Sequence, residues 1–377
     1  MIPLIRFHIH NSIRFSHNSK FLLMKKYVIT IHCIPNFGSV FQSYGLVEYL
    51  RRQGNDVEII DYRPHYYQNG RDALKSYVAK LINLRSFVEQ TNKYNEFIRK
   101  ELSLTPKVYY NLNDLMSFNE QEGVFISGGD QIWNSFHPSG RDDAYKLTFL
   151  SNQKRFAFGS SMGRTSFSDD ELKALASKVR NYSFIGLREQ SSVPLLAKYL
   201  DVPIRHVVDP VLLLKKEDYM RFIGQKPFIN EPYLLMYLSD KSDLLNNVVE
   251  SISKEFGLKV VHVCGFRRKC NCDYFLKSTG PEELLNLIYY SQFIVSSSFH
   301  ATLFSLLLEK QFCTLLPEVG TNTRIEDLLC FYGLENRIIR KDSDIENLNS
   351  MIEFDVVRGK LNEFAEASRT LLNKALQ

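Results

Sequence analysis

Tryptophan occurs once in 377 residues and cysteine only six times. Cysteines spread this thinly (Cys33, Cys264, Cys270, Cys272, Cys313 and Cys330) suit a reducing compartment and not a small secreted domain stapled by disulfides, so a cytoplasmic protein is expected. No apolar run approaches the roughly 20 residues a membrane-crossing helix needs. Blocks of five or more basic residues are also missing, and the net charge of +5 is dispersed over 47 Lys and Arg against 42 Asp and Glu. No nucleic-acid partner is expected from that pattern. A mildly positive face toward an anionic substrate or lipid headgroups stays open, and with it a peripheral place at the inner face of a membrane. GxxxxGKS and HExxH are absent, no serine nucleophile elbow is expected, and Ser296–Ser298 show no triad pattern, so the reading disfavours a hydrolase. Cys270-Asn-Cys272, with His262 and Cys264 nearby, has metal-ligand residue types. It lacks the matching second pair of a structural zinc site and reads as a loop with free thiols; no metal is expected.

What is present is the balance of a folding chain, 44% apolar and 24% charged. The length suits two domains better than one core. Residues 1–23 carry Arg, Lys and His without acids, and their apolar positions are broken too often for a signal peptide. They read as a disordered extension or a misassigned start. From Tyr27 the order is strand (to Ile31), Gly-containing loop (Cys33–Ser39), helix from Phe41, and strand Val57–Asp61, a βαβ unit of right-handed crossover length. A helical stretch from Asp72 to Lys100 follows, then strands at Gly123–Asp130 and Lys154–Ser160, a helix from Asp169, and strands near Ser183 and Ile204. After a polar connection at Lys215–Glu231 the same grammar restarts at Tyr233. The fold class is therefore α/β: two Rossmann-like, doubly wound domains facing across a cleft, one at 24–214, a second at 228–345, and a C-terminal helix within 355–377 that packs back over the first.

Each strand of this scheme ends in small or polar residues: Asn36-Phe-Gly-Ser39, Ser127-Gly-Gly-Asp130, Ser160-Ser-Met-Gly163, Arg188-Glu-Gln-Ser-Ser192 and Ser296-Ser-Ser-Phe-His300. Turns demand such residues anyway, but five clusters on one sheet edge also suit a phosphate or carboxylate, because glycines admit close backbone approach and helix N-termini favour anions. Trp133, set among Asp130, Gln131 and Asn134, offers a ring face and paired hydrogen-bonding groups to a sugar, or else anchors its loop. Arg188, just past an apolar strand, can grip an anion bidentately or pair with Glu189 or another acid. His300 stands where a strand end and a helix start would fix a proton donor, and equally where a histidine caps or packs.

In order and spacing these segments resemble the polysaccharide pyruvyl transferase family, whose members transfer the enolpyruvyl unit of phosphoenolpyruvate to sugar hydroxyls. The resemblance runs from about Tyr27 to about Arg340. It rests on Asn36-Phe-Gly-Ser-Val-Phe-Gln42, Gly128-Gly-Asp-Gln-Ile-Trp-Asn134, Gly186-Leu-Arg-Glu-Gln-Ser-Ser192, Val208-Asp-Pro-Val211 and Ser296-Ser-Ser-Phe-His-Ala-Thr302. It implies a fold like that of GT-B glycosyltransferases, with the active site between the domains, and no cofactor beyond phosphoenolpyruvate as co-substrate. By the same resemblance Arg188 binds phosphoenolpyruvate and His300 is the catalytic acid. Many members carry arginine where this chain has Ser298, so either Arg324 supplies the charge from a neighbouring loop or the donor is held differently; Ser298, Phe299 and Arg324 are placed at the donor. Asn36, Gly38, Gln42, Asp130, Gln131, Trp133 and Asn134 are placed at the acceptor or cleft floor. The implied partners are phosphoenolpyruvate and a polysaccharide or lipid-linked sugar, and replacing Arg188 by alanine is expected mainly to weaken donor binding. The alternatives are a GT-B glycosyltransferase using a nucleotide sugar and a binding module of the same fold that has lost catalysis.

Overall fold

The structure, a computed structural model, describes residues 24–67, 83–164, 166–237, 242–263, 268–316 and 323–377. The expected N-terminal extension, the first part of the helix expected from Asp72, and Cys264 lie outside the described residues. Two parallel sheets organise the rest. In the first, β1 (Lys26–Ile29), β2 (Val57–Tyr62), β3 (Leu104–Tyr109), β4 (Val124–Gly129), β5 (Lys154–Ser160), β6 (Ile185–Leu187) and β7 (Ile204–His206) lie in the order β3-β2-β1-β4-β5-β6-β7. In the second, β8 (Tyr233–Tyr237), β9 (Lys259–Val263), β10 (Tyr274–Leu276), β11 (Phe293–Ser296), β12 (Gln311–Leu315) and β13 (Ile338–Ile339) lie in the order β10-β9-β8-β11-β12-β13. Both sheets reverse their direction of growth at one point, between β1 and β4 and between β8 and β11. Beyond the carboxyl ends of strands at such a point is where α/β sheets hold ligands.

A helix leaves each reversal point, and the two pack on one another. The first, α1 (Phe37–Arg52), begins four residues before the expected start because Asn36 caps it: its Oδ1 accepts from the Ser39 backbone N–H at 3.0 Å. Residues 37–47 of α1 are all buried, as are all nine residues of the helix that follows β11. A helix without a polar face must be covered on every side. In this fold the cover is the other lobe. The polar connection expected at Lys215–Glu231 contains a helix of its own, α2 (Lys216–Ile223), and α3 (Phe299–Leu307) is the helix after β11. Phe304 of α3 meets Phe37 and Phe41 of α1 at ring-centroid distances of 5.2 and 5.3 Å, and Tyr219 of α2 at 5.2 Å. Burying each such ring stabilises by about 1.5–3 kcal/mol, so one apolar core spans both lobes and fixes the N-termini of α1 and α3 side by side.

Two more helices complete the frame. The first turn of α4 (Thr323–Tyr332) carries Arg324 to Asp130 of the first lobe, and α5 (Phe354–Leu376) packs on both lobes, Asn373 accepting from the Tyr49 hydroxyl and Arg358 pairing with Glu309. A stripe at Val357, Leu361, Ala365, Ser368, Leu372 and Leu376 is buried, the spacing of one helix face. Ser368 Oγ accepts from the Val208 N–H at 3.0 Å, and Arg369 Nε donates to the Leu213 carbonyl at 3.0 Å. Among the described residues no helix is long and apolar enough to cross a membrane, and no group of three or more His, Cys, Asp or Glu is placed to hold a metal ion. Cys270 Sγ instead lies 3.3 Å from Met236 Sδ.

Candidate active site

The carboxyl end of β6 delivers Arg188 into the cleft, where burial would be costly without counter-ions. Three acids supply them. Nη1 donates to Asp209 Oδ2 at 2.8 Å, Nη2 donates to Asp130 Oδ1 at 2.7 Å, and Nε lies 3.5 Å from Glu189 Oε1. Its fourth neighbour is Phe299, whose ring lies 4.1 Å below the guanidinium carbon, close enough for a cation–π contact. The pairing with acids foreseen for Arg188 is present, and it does not exhaust the group: Nε has no aligned hydrogen-bond partner.

Arg324, from the first turn of α4, arrives from the other lobe. Its Nη1 donates to the same Oδ1 of Asp130, and its guanidinium carbon stands 5.8 Å from the Phe299 ring. Two cations from two lobes thus converge on one carboxylate oxygen and one ring. Burial would raise the Asp130 pKa, but Arg324, Arg188 and His300 outweigh it and hold the carboxyl well below the usual range. Asp209 is lowered too: burial opposes ionisation, and His300 and Arg188 overcome it. Both depressed carboxylates add stability that is present above the unfolded pKa of about 4 and is lost as pH falls below it.

His300 is the second residue of α3 and is almost fully buried. Its Nε2 lies 3.4 Å from Asp209 Oδ2, a close charge contact without the alignment of a hydrogen bond. The other edge of the ring rests on α1, where a Cβ built on Gly38 would come within 1.9 Å of Nδ1. Glycine is therefore required at 38 by close approach, not by backbone angle. The Phe299 ring stands nearly perpendicular to the imidazole, with centroids 5.1 Å apart. The packing of α1 on α3 is thus what seats His300 beside the two arginines.

The remaining expected residues divide. Ser298 caps α3, its Oγ accepting from the Ala301 N–H at 3.4 Å, and Asn36 caps α1, so the side chains of both serve helix ends. Trp133 offers no face to a sugar: it is 3% exposed, sits in the apolar core of the first lobe, and donates from Nε1 to the Tyr145 carbonyl at 3.2 Å. Asn134 Nδ2 donates to Gln131 Oε1 at 2.7 Å, so these two amides staple their loop to itself. Gln42 differs, being 1% exposed with neither amide atom hydrogen-bonded.

Sequence reasoning assigned no role to Asp209, although Val208-Asp-Pro-Val211 was in view. It joins Arg188 to His300, and its Oδ1 accepts from the Val211 N–H at 2.9 Å; the signal was an acid just past the buried pair Val207-Val208 and before a proline. Gly159-Ser-Ser-Met-Gly163 does carry the G-x-S-x-G spacing, against the expectation of no nucleophile elbow. Ser161 is buried, however, and its hydroxyl donates to Glu189 Oε1 at 2.6 Å; no helix opens directly behind it. His206 lines the cleft below Arg188, its ring between Phe331 and Phe364, where burial lowers its pKa to about 4.

Solved structures share this architecture at very low sequence identity. The UDP-GlcNAc 2-epimerase of Neisseria meningitidis, bound to UDP-GlcNAc, aligns with a TM-score of 0.55 at 10% identity, covering 94% of this chain and 99% of that one. A putative UDP-N-acetylglucosamine 2-epimerase from Listeria monocytogenes gives 0.52 at 10% identity over 92% and 91%, and the UDP-GlcNAc 2-epimerase of Methanocaldococcus jannaschii gives 0.51 at 14% over 93% and 100%. These establish the GT-B-type fold and nothing of the chemistry. Among curated proteins none matches the chain in sequence. The family model described as polysaccharide pyruvyl transferase matches residues 36–317, a span that holds α1, Asp130, Arg188, Asp209 and His300, and the chain belongs to the polysaccharide pyruvyl transferase family.

Proposed function

We propose that the protein is a phosphoenolpyruvate-dependent pyruvyltransferase that builds a pyruvate ketal on a sugar of a surface or capsular polysaccharide precursor, carried on a lipid and met at the inner face of the membrane. The observation that carries this reading is the convergence of Arg188 and Arg324 beside His300. Phosphoenolpyruvate presents a carboxylate and a phosphate, and two guanidiniums held at one place by opposite lobes match that double anion. His300 would give its proton to the methylene carbon, which leaves an oxocarbenium-like centre at the adjacent carbon. One sugar hydroxyl adds there and loses its proton. Loss of phosphate, its departing charge stabilised by the two arginines, regenerates that centre, and a second hydroxyl adds to it, gives its proton to the released phosphate and closes the ketal. Asp209 would orient the imidazole and balance its charge. Arg324 takes the place of the arginine that the family resemblance expects at Ser298.

The test supplies purified protein with phosphoenolpyruvate and a lipid-linked galactose or mannosamine acceptor, following phosphate release and acceptor mass together. Stoichiometric phosphate with a pyruvate-bearing product is expected. Thermal stabilisation by UDP, with none by phosphoenolpyruvate and no phosphate released, would replace this reading with nucleotide-sugar transfer. A sharper check on geometry is Gly38→Ala. The helix backbone accepts alanine readily, but the new methyl takes the space of the His300 ring, so turnover is expected to fall by about a hundredfold or more, with a much smaller change in donor affinity. Undiminished turnover would show that the ring works from somewhere other than its seat on Gly38.

A further inference from the structure

Asp130 is bound as a substrate anion would be. One of its oxygens accepts from a guanidinium of each lobe, Arg188 and Arg324, above the ring of Phe299. An acid that merely neutralised Arg188 would be redundant, because Asp209 and Glu189 already face it. Phosphoenolpyruvate cannot take the two N–H groups that carboxylate holds, and its own negative charge would repel Asp130 if both stayed. The inference rests on the donor assignment proposed above.

The backbone around Asp130 is built for a second position. Gly129 and Gln131, on either side of it, both have positive φ, 133° and 54°. For glutamine this is a sparsely populated region that must be held by its surroundings. Beneath them the Gln42 amide is buried with no partner, its Nε2 so near Gly129 that a Cβ at 129 would lie 2.8 Å away. Buried amides without partners are costly. The ion pairs therefore hold the 129–131 segment in place, while strain and an unsatisfied amide oppose them, which is the composition of a two-state element. We propose that the Asp130 carboxylate stands in the donor anion's place, and that the donor binds by evicting it from Arg188 and Arg324, with Gln42 gaining a backbone partner as the Gly129–Asp130 peptide turns.

The test compares wild type with Asp130→Asn, an amide of the same shape, by calorimetric titration with phosphoenolpyruvate and by hydrogen exchange over residues 128–134. Removing the competitor is expected to tighten donor binding by about ten- to a hundredfold, the factor lost when a competing group holds the site for about 90–99% of the time. Donor binding to wild type should change exchange in 128–134, and ligand-free Asp130→Asn should already exchange like donor-bound wild type. Simple charge repulsion would tighten binding without the exchange change, and that result overturns the eviction. Equal affinities for the two proteins overturn it as well, while leaving the donor assignment standing. Binding by neither protein removes the donor assignment and the inference together.

Discussion

His300→Gln is expected to lower ketal formation by about 10²–10⁴-fold, the usual worth of a positioned general acid, while donor affinity changes by only a few fold. Glutamine fills much of the ring's volume and can still donate near Asp209, so the fold should persist; an amide cannot, however, deliver a proton to carbon. The two parameters should separate cleanly if the donor's charges are met, as proposed, by Arg188 and Arg324, the two guanidiniums that converge on Asp130, and not by the imidazole. Single-turnover phosphate release measures the first and calorimetric titration with phosphoenolpyruvate the second. Turnover within tenfold of wild type would remove His300 from the chemistry and leave it a packing residue between α1 and α3.

That ambiguity is what the sequence alone could not resolve for His300. A histidine two residues into a helix looks the same whether it packs or reacts, and the contacts that bear on the choice come from residues 91 and 262 positions away in the chain, Asp209 and Gly38. The lobes themselves were legible because buried parallel strands read as apolar runs closed by small residues. Where that signal failed, a physical reason is visible. The strand Leu104–Tyr109 contains Pro106, which argues against a strand until its place at the sheet edge, where a missing donor is tolerated, is known. The start of α1 was hidden because Phe37-Gly-Ser39 resembles a turn, and only its cap shows otherwise.

The cleft-floor residues show the limit more sharply. Trp133, Gln131 and Asn134 are sugar-binding residue types, yet their side chains are spent on the protein itself. Residue type is shared between the two uses; burial and partner separate them. Gln42, from the same group of expectations, is the reverse case, a buried amide with no protein partner. Arg324 was reachable from sequence only as compensation for Ser298, and the structure brings it to the same carboxylate as Arg188.

Arg188→Ala tests how far binding and folding share one side chain. The sequence suggested that it would chiefly weaken the donor. The structure adds a second effect, because the guanidinium is the common partner of Asp130, Asp209 and Glu189, the last two fully buried. Removing one member of a buried ion pair typically costs about 3–5 kcal/mol, since the partner charges stay behind unpaired. Set against a total stability of about 5–15 kcal/mol, that loss should appear as a clear drop in the urea midpoint. Arg188→Lys keeps the charge but cannot bridge Asp209 and Asp130 with separate nitrogens, so it should recover part of the stability and little donor affinity. The double variant Arg188→Ala with Asp209→Asn removes one of the stranded carboxylates. It should regain stability relative to Arg188→Ala alone and regain no donor binding, which distinguishes lost electrostatic balance in the fold from lost contact with the substrate. If Arg188→Ala matched the wild-type urea midpoint, the three acids would be finding other partners, and Arg188 would be free to serve the donor alone.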